Sequence, residues 1–223
     1  ALACSEYVVT EAGFGSDMGA EKFMHIKAAT SGRGPDCVVL NVTVRSMKLH
    51  GGALGKKASR RPTSEEMAKP DPKAVEKGAR SNLDRHIRNM LQFGMPVVVS
   101  INRFHTDTQA ELDALKLAAL DSGAKDVVVF DGHSRGGIGG LELAKAVVAA
   151  TQEHLAAGRP FTPLFTKDTT IAEKALKIAI QIYGGAGINI TAKAHRQLKQ
   201  LEDWGYGNLP VCMAKTQYSF SHD

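Results

Sequence analysis

The chain has 223 residues, 43% of them hydrophobic but only 6% aromatic, with a formal net charge of +5. This suits one large domain or two small ones around an aliphatic core of the kind that parallel sheets bury. No apolar run is long enough to span a bilayer, no leader pattern opens the chain, and Cys4, Cys37 and Cys212 are far apart and odd in number, so free thiols, a cytoplasmic location and no membrane partner are expected.

The first notable stretch is TEAGFGSDMGAEKF, residues 10–23, which follows the apolar run YVV. Its spacing, Gly13-x-Gly15-x-x-x-Gly19, is one residue longer than the dinucleotide fingerprint. Bare backbone N–H groups in such turns can converge on an anion. Glu11, Asp17 and Glu21 in the same stretch repel phosphate and argue against a phosphate cradle.

Residues 36–43, DCVVLNVT, read as a buried strand, and VRSMKLHGG follows it. A basic run at 55–61 carries Lys56, Lys57, Arg60 and Arg61. It has no interleaved aromatics and no nucleic-acid module signature, so it reads as a solvated loop and no nucleic-acid partner is expected. GALGKKAS only approaches the Walker A pattern: Gly51 and Gly55 stand one residue too close, and Lys57 occupies the place of the magnesium-binding Ser or Thr. The proline- and charge-rich stretch 53–75 is expected to be mobile, with 53–72 dispensable to the fold.

Helical spacing over 73–92 places Leu83, Ile87, Met90 and Leu91 on one face. Strands are expected at 95–101 and 126–130. Between them DTQAELDALKLAALDSG has Asp107 or Thr108 as cap and Gly123 as stop. A helix follows the glycines of GGLELAKAVVAATQEHL. GRPFTPLF, residues 158–165, reads as a linker. Helices capped by Thr170 and Thr191 stop at Gly184 and Gly205, and LPVCM at 209–213 is expected as a further strand. The alternation predicts an α/β fold, a mostly parallel sheet flanked by helices. It also predicts two domains, 1–157 and a smaller α/β subdomain at 158–223.

Ligands of open α/β sheets sit beyond the carboxyl ends of the strands. There the sequence places Arg45, Lys48 and His50, then Asn102, Arg103, Phe104 and Asp107, then His133 and Arg135 with glycines. Cations, an amide, an aromatic and glycines together suit a flat, anionic ligand. Each residue also has a plainer reading: Asn102 and Asp107 as helix caps, Phe104 as core, His133 as surface, Arg45 and Lys48 as a solvated face. The eight histidines show no metal spacing such as H-E-x-x-H, and no G-x-S-x-G elbow occurs, so neither a bound metal nor serine-hydrolase chemistry is expected.

The blocks YVVTEAGFGSDMGAEKF, VTVRSMKLHGG, FGMPVVVSINRFHTDTQAEL, GGIGGLELA, IYGG and GYGNLPVCMAKTQYSFS, in this order, closely resemble the formate–tetrahydrofolate ligases. The resemblance runs the length of the chain, the basic stretch at 53–72 excepted. It implies an incomplete P-loop NTPase-like domain and ATP-dependent formylation of tetrahydrofolate at N10. Formate attacks the γ-phosphate of ATP, and the folate amine then attacks the resulting formyl phosphate. ATP with magnesium, tetrahydrofolate and formate are the implied ligands, and a homo-oligomer the implied assembly. The family's phosphate-binding loop lies upstream of these blocks and its chain runs beyond them, so the segment by itself is expected to be inactive. Glu11, Phe14, Arg45, Lys48 and His50 are the implied chemical residues. Gly13, Gly15, Asn102, Phe104, Asp107, His133, Gly136 and Gly137 are the implied ligand-holding ones. In the family the aromatic matching Phe104 stacks on a planar ligand ring. The second stacking residue is usually a tryptophan, and His133 stands in its place here. That departure keeps a second function open, a non-catalytic binding or scaffold module.

Overall fold

The computed structural model describes residues 1–53, 62–214 and 220. They fall into two compact units, Gly34–Thr162 and the paired segments Ala1–Arg33 and Pro163–Asp223. The basic run at 55–61 lies outside the described residues.

The larger unit is α/β. Strands β1 (Val38–Val42), β2 (Val97–Asn102) and β3 (Asp126–Phe130) form a parallel sheet in the order β1-β2-β3. Val38 pairs with Val97, and Asn102 with Phe130. The strands expected from the sequence are therefore parallel neighbours. β2 is central, and Val97, Val98, Val99 and Ile101 are fully buried. Such a strand needs apolar residues at consecutive positions, which is why MPVVVSI shows no alternation.

The smaller unit begins the helix count with α1 (Gly19–Lys22) and α2 (Ala29–Ser31), joined by a π-helical turn, Phe23–Ala28. In the larger unit the β1–β2 crossover holds α3 (Val44–His50), α4 (Ser64–Ala68) and α5 (Pro72–Gly78). A second π-helical turn, Ala79–Leu83, leads into α6 (Asp84–Leu91). Helix α7 (Gln109–Asp121) makes the β2–β3 crossover. After β3 come α8 (Gly132–Arg135), a 3-10 turn at Gly136–Gly140, and α9 (Leu141–Ala157).

The stretch expected to be mobile is folded where it is described. Thr63 accepts from the Glu66 N–H while the Glu66 carboxylate takes the Thr63 N–H, a capping box that starts α4. Asp71 caps α5, with Pro72 at the first helical position. Met67 is buried. Composition misled because prolines and charges also serve as helix-start signals. Helices α3 and α5 approach through glycine: a Cβ on Gly78 would overlap the Met47 carbonyl oxygen, and one on Gly51 the Ala74 carbonyl oxygen.

The smaller unit continues with α10 (Ile171–Lys177), a π-helical turn at Ile178–Ile182, and α11 (Ala192–Asp203). Thr170 and Thr191 cap α10 and α11 as their sequence positions indicate. Among its described residues no strand forms, so the strand expected at 209–213 is corrected. The buried Lys174 ammonium takes the carbonyls of Gly207 and Leu209 at 2.7 and 3.0 Å, and Pro210 has no N–H to give a ladder.

Candidate functional site

The site is built where the three strands end. Thr43, one residue past β1, caps α3 by accepting from the Ser46 N–H at 3.1 Å. This sets Arg45 in the first turn. Its guanidinium carbon lies 4.2 Å from the centroid of the Phe104 ring, a cation–π contact. Its Nη2 reaches the Thr106 hydroxyl at 3.4 Å, while its Nε is buried and has no hydrogen-bond partner.

Phe104 sits in a closed turn after β2. Its N–H donates to Asp107 Oδ2 at 2.8 Å, and the Asp107 N–H donates back to the Phe104 carbonyl at 3.0 Å. The ring is half-buried. Asp107 is 7% exposed, and its Oδ1 has no partner. The cap of α7 is Thr108, in a second capping box with Glu111, so of the two caps the sequence allows, Asp107 is left to hold the turn.

The third strand end lies beside the second. Asn102 pairs in register with Phe130, and the Arg103 N–H donates to the Phe130 carbonyl at 3.1 Å. Phe104 and His133 therefore follow adjacent strand ends at the same edge of the sheet. His133 is exposed on α8. Gly136 has φ +59° and ψ −144°, a conformation that only glycine adopts without strain. Gly137 is open and exposed.

Lys48, one turn beyond Arg45 on α3, is 1% exposed and points into the protein. Its ammonium forms an ion pair with Glu111 at 2.6 Å and donates to the carbonyls of Met67 and Lys69, each at 2.9 Å. Its three N–H bonds are thus committed within the chain. His50 is exposed at the end of α3.

Glu11, Gly13, Phe14 and Gly15 belong to the smaller unit. There the N–H groups of Met18 and Gly19 both donate to the Gly15 carbonyl at 2.9 Å, and Gly19 packs on the Gly13 backbone. Phe14 stands at φ +61° and is 93% exposed, an outlier for a bulky side chain. Two participants at the sheet edge, Thr106 and Glu111, are absent from the residues selected by sequence. The Glu111 signal was present as the Thr108-x-x-Glu111 box.

The family model described as formate–tetrahydrofolate ligase matches residues 1–223. The chain belongs to the formate–tetrahydrofolate ligase family. It is 45% identical over 223 residues to the formate–tetrahydrofolate ligase of Desulforamulus reducens, covering all of this chain and 38% of that protein. Identity to the same-named protein of Symbiobacterium thermophilum is 46% over 224 positions, again 38% of that protein. The cytoplasmic C-1-tetrahydrofolate synthase of Saccharomyces cerevisiae is 44% identical over 217 residues, covering 97% of this chain and 22% of the yeast protein. This ligase-family chain therefore spans well under half the length of the curated relatives it matches. Among its described residues no helix is long and apolar enough to cross a membrane.

Asp107 gives this ligase-family chain a pH signature. Burial pushes its carboxyl above the usual value; the Phe104 N–H, Lys48 and Arg45 oppose this, while Glu111 adds to it. The folded chain then holds the proton more tightly than the unfolded one, so this group's contribution to stability falls as pH rises from about 4 through the raised value. Asp107→Asn keeps an acceptor for the Phe104 N–H and removes the buried charge. Its melting temperature should exceed the wild type's at pH 7, and the two should converge towards about pH 4. Parallel melting curves at every pH would show that Asp107 ionises freely.

Proposed function

We propose that the chain is the folate-holding part of an ATP-dependent formate–tetrahydrofolate ligase. In this reaction a formate oxygen attacks the γ-phosphorus of ATP and ADP leaves. The N10 amine of tetrahydrofolate then attacks the formyl carbon, phosphate departs, and the amine loses a proton. The observation that carries this reading is the Arg45–Phe104 stack beside the unpaired Asp107 oxygen, at the carboxyl edge of a parallel sheet.

Phe104 offers an aromatic face to the planar ring of the ligand, and Arg45 backs the other face. The cation holds the ring in place and brings positive charge to a reaction between anions. Asp107 fixes the turn with one oxygen and keeps the other for an N–H of the ligand. His133 is the second ring of the stack, smaller than tryptophan but able to donate a hydrogen bond. Asn102, Gly136 and Gly137 line the same edge, and exposed His50 supplies a further polar group. In the smaller unit, taken by itself, nothing lies near a Cβ added at Gly13, and Phe14 presents an exposed apolar ring. Among the described residues no three His, Cys, Asp or Glu side chains converge as a candidate metal site.

In the ligase that carries this segment, Phe104→Ala should raise the KM for tetrahydrofolate by about three- to tenfold, the scale of one lost aromatic pair. The KM values for ATP and formate should stay within about twofold. His133→Trp, with more stacking area, should hold or lower the same tetrahydrofolate KM. Steady-state kinetics with each substrate varied in turn decides it. An unchanged tetrahydrofolate KM in Phe104→Ala would remove Phe104 from the folate site.

A further inference from the structure

The strongest unassigned feature is the buried ion pair between α3 and the start of α7. Lys48 and Glu111 lie on different helices, 1% and 0% exposed, with their charges 2.6 Å apart. Both are saturated. Lys48 gives its three N–H bonds to Glu111 and to the carbonyls of Met67 and Lys69. Glu111 Oε1 also accepts from the Asp71 N–H at 2.9 Å, and its Oε2 accepts from the Thr108 N–H and hydroxyl at 2.9 and 2.8 Å.

A buried pair of this kind is poor evidence of stabilisation, since two apolar side chains of similar volume often serve a fold as well. What apolar side chains cannot do is hold backbone groups in direction. This pair holds four of them: the carbonyls of Met67 and Lys69 and the N–H groups of Asp71 and Thr108. Two of the tethered segments matter to the site. One is the start of α7, joined through Asp107 to the turn that carries Phe104. The other is the strap 67–71 between α4 and α5. Helix α3 thus reaches the Phe104 turn twice, through Arg45 on the ring and through Lys48 on Glu111 at the start of α7.

We propose that Lys48 and Glu111 are positioning residues of the folate site, fixing where the Phe104 ring stands by anchoring the first turn of α7 to α3 and to the strap 67–71. The proposal rests on the reading of Phe104 as the ring platform. It moves Lys48 from the chemical residues implied by sequence to a residue that acts through another.

The test is kinetic, in the ligase that carries this segment. The double variant Lys48→Met/Glu111→Gln removes both charges while keeping side-chain volume. Its KM for tetrahydrofolate should rise about tenfold, because a displacement of under an ångström at a binding ring is felt strongly. Its kcat at saturating tetrahydrofolate and its KM for ATP and formate should stay within about twofold. Thr108→Val removes the hydroxyl that Glu111 Oε2 accepts from, and with it the side-chain cap of α7, and should raise the tetrahydrofolate KM in the same direction by about threefold. It decides the matter alone if the double variant does not fold. A lowered melting temperature with tetrahydrofolate KM unchanged in the folded variants would reduce the pair to a structural role and overturn the proposal. Phe104→Ala, run in parallel, separates the two ideas. If it too leaves the tetrahydrofolate KM unchanged, the ring platform itself is wrong; if it raises the KM while the pair variants do not, only the positioning role falls.

Discussion

Lys48→Met as a single substitution should destabilise the chain by about 3–5 kcal/mol at pH 7, the range for stripping one partner from a buried pair. The loss arises because Glu111 stays buried with no counter-charge and the carbonyls of Met67 and Lys69 lose their donor. In the wild type, burial pushes the Glu111 carboxyl up, but the Lys48 ammonium and the donors at Asp71 and Thr108 pull it further down, to a net value below the usual one. A carboxylate lowered in this way contributes stability that is complete above its unfolded value and is lost as pH falls through the folded one. The deficit of the variant should therefore be largest near neutrality and shrink as pH falls, first as the variant's buried, unpaired carboxyl takes up a proton and then as the wild type's does, below the usual carboxylate value. Denaturant midpoints at several pH values measure this. A loss under about 1 kcal/mol at pH 7 would place the pair in the energetics of an exposed ion pair, despite its burial.

Gly78→Ala should cost about 3 kcal/mol, as overpacking against immobile backbone does. The added methyl would overlap the Met47 carbonyl oxygen, and no side-chain rotation relieves a clash with main chain. Alanine's better helix propensity, about 1 kcal/mol, acts in the opposite direction and is outweighed. α3 and α5 must separate, so the damage should spread to Lys48 and Arg45 on α3. Gly187→Ala, where nothing lies near the added carbon, is the control and should fall within about 0.5 kcal/mol of the wild type. Equal stability of the two variants would show that the α3–α5 contact slackens at little cost.

Local rules were legible in the sequence, and distant pairings were not. Val97–Ile101 announced itself as a doubly buried strand because five consecutive positions needed to be small or apolar, and Thr170 and Thr191 marked their helices because caps act within four residues. The same rule marks α4 from Thr63 and Glu66, although the prolines and charges around them also fit a loop. LPVCM failed for the opposite reason. Its pattern fits a strand, but a strand exists only with a neighbour, and Lys174, far away in sequence, takes the carbonyl of Leu209 at its start instead. At the site, the strand-end rule brought Arg45, Phe104, Asp107 and His133 to one edge of the sheet. It said nothing of which way a side chain turns, so Lys48 looked like Arg45, one turn away on the same helix. Only the partner on α7 distinguishes them.

The strand order also bears on how the chain reaches its fold. Val98 pairs with Asp126, whereas Val38 pairs with Val97, so closing β1 onto β2 spans about twice the chain that closing β2 onto β3 does. Each doubling of a closed loop adds about 0.6 kcal/mol of chain entropy. β2, α7 and β3 are thus the cheaper nucleus, and the long crossover docks onto a sheet edge that already exists. Lys48 arrives with that crossover while Glu111 belongs to the nucleus. The ion pair therefore closes late, when the two parts of the sheet meet and Lys48 reaches Glu111.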